Sequence, residues 1–159
     1  MKRIISVFLC AAILSACDSS TSIKAGDEDH SHGTVENNST ENHEMHIEGL
    51  TLNNNAKWNG DEATNNNVKN LENILQDFKA SAPPVTSDYV SLSNYLQGGL
   101  DKMISECRMK GEDHDALHKW LEPLIGKVKN LKLVGDVETG ESATRDIKAH
   151  VEVYHQFFE

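Results

Sequence analysis

Cysteine is nearly absent from this chain. The 159 residues contain three: Cys10 and Cys17 close to the start, and Cys107 alone in the body. There is no C-x-x-C redox pair and no C-x-x-C-H for haem attachment. No Gly-rich phosphate loop appears either, so neither haem nor a nucleotide is an expected cofactor. Proline is limited to Pro83, Pro84 and Pro123. Basic residues are short as well, with 15 Lys and Arg against 25 Asp and Glu. An acidic chain repels phosphate backbones and attracts cations, which argues against nucleic acid as a partner. Long apolar runs are missing too. The only one, Ile4 to Ile13, is too short to span a bilayer as a stable helix.

What stands at the front is a targeting pattern. Met1-Lys2-Arg3 supplies positive charge, Ile4 to Ile13 the apolar run, and Leu14-Ser15-Ala16-Cys17 ends it. The order resembles the lipobox of bacterial lipoproteins. That resemblance implies residues 1–17 are a signal peptide, cleaved before Cys17, with the Cys17 thiol lipidated. An ordinary secretory signal cleaved near Ala16 is the alternative. Each buried acyl methylene contributes about 0.8 kcal/mol, so several chains hold a protein firmly on a bilayer. The expected place is the cell envelope, lipid-anchored and facing the periplasm or the cell surface. Asp18 resembles an inner-membrane retention signal, but inner and outer membrane both stay open. Loss of Lys2 and Arg3 leaves 13 basic against 25 acidic residues, a net charge of about −12. Cys107 is then a lone thiol in an oxidising compartment: buried, metal-bound, or free to pair with another molecule.

Residues 18–55 are polar and almost aperiodic, with too few apolar side chains for a core, so a disordered tether is expected. It carries His30, His32, His43 and His46 among Asp27, Asp29 and Met45. Histidine and carboxylate clusters of this kind make weak, exchanging metal sites. A solvated acidic linker is the plainer reading.

Residues 56–159 read as one small helical domain. Val68, Leu71, Leu75 and Phe78 recur at spacings of three and four, from a start near Thr64 to a stop at Ala82-Pro83-Pro84. A second stripe, N-capped by Ser87 or Asp88, runs through Leu92, Leu96, Gly99 or Leu100, Met103 and Cys107. A third runs from Glu112 or Asp113 through Leu117, Leu121, Leu124 or Ile125, Val128 and Leu131. Pro123 within it predicts a kink or break around Lys119 to Pro123. After a loop from Val134 to Gly140, a fourth begins near Glu141 and carries Ile147, Val151, Tyr154 and Phe158. No strand pattern is evident. Short connections between helices of similar length predict an all-α, antiparallel up-down-up-down four-helix bundle.

That topology gathers chemistry at one end. The stretch Met103 to Leu121, M-I-S-E-C-R-M-K-G-E-D-H-D-A-L-H-K-W-L, spans the second turn. His114 and His118 lie four apart, on one helix face. Thiolate, thioether and imidazole are the donors soft and borderline metals prefer, copper(I) first and zinc second. Cys107, Met109, His114 and His118 are the candidate ligands, with Met103 and His150 as further members. His150 would lie about 12 Å from the end of the fourth helix at 1.5 Å per residue. Trp58, Trp120, Tyr154 and His155 should crowd the same end. Each has a structural reading as well: Met103 as core, His150 as a satisfied core histidine, and the tryptophans as caps on the core.

From K-W at Lys57-Trp58, through C-R-M-K-G-E-D-H-D-A-L-H at Cys107 to His118, to the terminal Y-H-Q-F-F-E, the chain resembles a group of small exported helical proteins of Bacteroidota-type bacteria. Their shared pattern is C-x-M-x-G-x-x-H-x-x-L-H. The resemblance implies that Trp58, Cys107, Met109, His114 and His118 belong to one unit, and it associates the group with heavy-metal handling. The expected function is therefore an exported lipoprotein that binds copper or zinc for buffering, delivery or resistance. Its partners would be the bilayer and a metal-efflux or envelope protein. A non-metal interaction protein of the envelope is the main alternative. A di-iron four-helix protein is a weaker one, suggested by His118-x-x-x-Glu122, Glu152-x-x-His155 and Glu72. No oxyanion hole or orienting third group accompanies Cys107 and His114, so no enzyme is expected. Oligomeric state stays open, including a disulfide-linked dimer through Cys107.

Overall fold

Asp61 begins the bundle. One carboxylate oxygen accepts the Thr64 backbone N–H at 2.7 Å, the N-cap bond for donors that a helix start leaves unpaired. Helix α1 (Glu62–Asp77) follows in this computed structural model, which describes residues 46–159. Cys17, His30, His32 and His43 lie outside the described residues. α1 buries Val68, Leu71 and Leu75, the stripe read from the spacing. α2 (Thr86–Glu106) starts slightly before Ser87, and Asp88 acts differently from an N-cap. Sitting in the first turn, it reaches back to accept Val85 N–H at 3.0 Å and the Ser81 hydroxyl at 2.6 Å. Those hydrogen bonds hold the Asp88 carboxyl below its ordinary value.

Of the kink or break expected around Pro123, the break does not occur: α3 (Gly111–Leu131) is continuous through it. Pro123 sits on the exposed side, while Leu117, Trp120, Leu121, Leu124 and Val128 are all buried. A proline inside a helix costs about 3 kcal/mol, less than the burial of such a stripe returns at about 1.5–3 kcal/mol per large apolar side chain. α4 (Val137–Phe157) begins several residues before Glu141 because Asp136 caps it, accepting Thr139 N–H at 2.7 Å. Gly140, expected in the loop, is a buried helix residue. A Cβ there would stand 2.5 Å from Cδ2 of the Tyr89 ring, so its hydrogen lets α4 close on α2.

Each helix packs on the next, α4 returns to α1, and α2 and α4 also meet across the centre. This is the expected up-down-up-down bundle. The packed unit extends before α1. Ile47 and Leu50 are buried in the core cluster, although this stretch reads as tether in the sequence. The Trp58 indole donates to Thr51 O at 2.6 Å. Trp58 N–H donates to Phe157 O at 2.8 Å, and Glu159 N–H returns to Trp58 O at 3.0 Å. Among the described residues, β-type pairing is confined to isolated bridges at Trp58–Phe158 and Asn53–Ala56, and no helix is long and apolar enough to cross a membrane.

Candidate metal corner

Four chain segments meet at the end where α2 turns into α3. The turn is Cys107 to Lys110, and Gly111 opens α3 with φ of +65°, the left-handed region that favours glycine. Asp61 ties two junctions together: besides capping α1, it accepts Arg108 N–H at 2.6 Å through its second oxygen. Partial burial pushes the Asp61 carboxyl up, but hydrogen bonds from Thr64 and Arg108 outweigh it and hold it below the ordinary value. Asp113 accepts Asn59 N–H at 3.0 Å, which brings the lead-in to the start of α3. With Trp58 bound to the chain end, the start of α1, the end of α2, the start of α3 and the end of α4 share one end.

Beneath lies a buried aromatic cluster. Trp120 packs edge-on against Tyr154 with ring centroids 5.0 Å apart, and Tyr154 stacks on Phe158 at 4.6 Å. Tyr154 donates its hydroxyl to Asn65 Oδ1 at 2.8 Å. Burial pushes its phenol well up, with Asp61 and Cys107 adding to the effect. His150 is 1% exposed and belongs to this interior. Its Nε2 donates to Trp120 O at 2.8 Å, while the Trp120 indole N–H donates to His150 O at 3.1 Å. Burial lowers the His150 pKa and keeps the ring neutral. Met103 is fully enclosed in the core. His150 and Met103 are both buried and do not reach the corner surface.

The surface of the corner is different. His114 and His118 meet edge to face with centroids 4.6 Å apart, the one-turn spacing realised. His118 is half exposed, and its Nδ1 lies 3.2 Å from Glu122 Oε1. Cys107 and Met109 are partly buried against the edge of the core, and Cys107 is a free thiol. Among the described residues, no three His, Cys, Asp or Glu side chains are gathered so as to hold a metal ion. What the corner offers is a two-imidazole face beside a turn carrying a thiol and a thioether. His46 is exposed, at the start of the described residues. His155 stands outside the aromatic core, its Nε2 2.6 Å from Glu72 Oε1.

Sequence reading missed Asp61. The motif Asp61-x-x-Thr64 carries an N-cap signal, but nothing local announces the bond to Arg108, 47 residues away. No protein-family model, curated protein or solved structure matches the chain.

Proposed function

We propose that this is an exported lipoprotein, anchored through acylated Cys17, that binds a soft or borderline transition metal at the α2–α3 corner. Copper comes first and zinc second, for buffering, delivery or resistance. The observation that carries the reading is the His114–His118 contact, two imidazoles 4.6 Å apart at the start of α3, His118 exposed and His114 partly buried. Histidines four apart on a helix present two nitrogens to one ion. Cys107 and Met109, in the turn immediately before, add the sulfur donors that favour copper(I). Two donors in contact leave the remaining positions open, which suits an ion that is taken up and passed on. His30, His32, His43 and His46 would collect it on the chain between anchor and bundle.

A second reading has its own support. Cys107 and Met109 both pack on the core, as they would in an envelope protein that binds a partner and no metal. A copper(I) titration of the chain under reducing conditions, competed with a chelator and with zinc run alongside, separates the two. One tight equivalent that weakens at least tenfold in both Cys107→Ser and His118→Ala supports the metal reading. Binding that ignores both variants contradicts it.

A further inference from the structure

We propose that Glu72, Glu152 and His155 form a second cation site, for a borderline divalent ion of the zinc class, that clips α1 to α4. Two of the three donors already touch: His155 Nε2 and Glu72 Oε1 are 2.6 Å apart across the seam between the two helices. Glu152 lies three residues before His155, which puts both on one face of α4. Glu152 and Glu72 also line one groove of about 350 Å³ between α1 and α4, whose other walls are Leu75, Gln76, Lys148 and Val151. Leu75 and Val151 are core residues, so the groove has an apolar floor, with Glu72 and Glu152 at its rim.

An imidazole and two carboxylates are a nitrogen and oxygen set that suits zinc and its neighbours, in contrast to the sulfur-bearing corner. Glu72 is only 32% exposed, and His155 reaches over it from the solvent side at 61%. Glu152 is not gathered with the pair in the structure, and the proposed site requires its side chain to turn towards them. Lys148, one turn away, is the ammonium lining that groove, and the two carboxylates outnumber it. The donors come from two helices, whereas His114 and His118 share one. An ion here therefore cross-links the seam and stabilises the native state by mass action, because the unfolded chain holds no such site.

The test is thermal unfolding of the full chain at rising zinc concentration, each variant compared with its own zinc-free curve. The zinc-dependent rise in unfolding temperature should need at least tenfold more zinc in His155→Ala and in Glu72→Gln. It should need several-fold more in Glu152→Gln, which keeps side-chain shape, and the wild-type amount in His118→Ala. Wild-type behaviour in His155→Ala and Glu72→Gln overturns the proposal. So does the absence of any zinc-dependent rise, or its loss in His118→Ala instead. The inference stands apart from the corner: copper(I) binding there can fail while the zinc effect here holds, and the reverse.

Discussion

His150 and His118 carry the same side chain at the same end of the bundle, and the fold uses them in opposite ways. His150 lies in the contact between α3 and α4, nine-tenths and more enclosed, with its ring held by the Trp120 carbonyl. His118 stands on the outside of α3, half exposed, beside His114 and Glu122. The difference follows from helical phase. His150 falls three after Ile147 and one before Val151, inside the inward stripe. His118 falls one after Leu117 and two before Trp120, which turns it away. A ring in the first position is an internal spacer that must stay neutral. A ring in the second is open to solvent and to an ion.

The largest break in that comparison is His150→Ala. It leaves a cavity beside Trp120 and strips the Trp120 carbonyl of its donor, so it should lower stability by about 2–4 kcal/mol. Chemical denaturation measures this, and metal binding at the corner should survive in the folded fraction. Gly140→Ala comes next. Its new methyl meets the buried Tyr89 ring at 2.5 Å, so either α4 or the ring must shift. The expected cost is about 1–3 kcal/mol, read in the same assay.

Acid sharpens the comparison. Burial lowers the folded-state pKa of His150 below its ordinary 6.5. The unfolded chain therefore binds a proton at this residue before the folded one does. The stability that depends on neutral His150 is fully present above pH 6.5 and is lost as pH falls below it. The loss is at most about 1.4 kcal/mol per pH unit from this one group. His150→Gln keeps an N–H for Trp120 O and cannot titrate. Its stability should be flatter than wild type between pH 6.5 and about 4.5, above the range where the depressed carboxyls of Asp61, Asp88, Glu106 and Asp136 are protonated. The smallest effect is expected at the outer ring. His118→Ala should change metal-free stability by no more than about 0.5 kcal/mol, since exposed ion pairs contribute little. A larger loss would mean that His118 is structural after all.

Much of the fold was legible because it is written in local phase. Three- and four-residue spacings located four helices, and short connections between them set the antiparallel order. Where sequence and structure differ, the cause is shared. Intrinsic preference favours a break at Pro123 and a loop at Gly140, yet tertiary packing decides both: Pro123 faces outward on a well-buried helix, and Gly140 serves a contact with Tyr89. Ile47 and Leu50 look too sparse for a core, but they join one built elsewhere. The corner was half legible. The four-residue spacing of His114 and His118 fixes their contact. Whether Cys107, Met109 or His150 joins them depends on which way helix ends and neighbours face, which no local pattern states. Glu72 and His155 lie 83 residues apart, so only the closed bundle brings them together.

The most direct test follows the histidine rings themselves. Side-chain NMR of the chain, with the imidazole nitrogens labelled, is recorded as one equivalent of copper(I) is added under reducing conditions. The His114 and His118 nitrogens should shift together as the ion binds, while the His150 signals stay in place with Nε2 still protonated. Shifts at His150 with none at His114 and His118 would contradict the division between the buried ring and the pair at the start of α3. Unmoved His114 and His118 would remove metal binding from the corner.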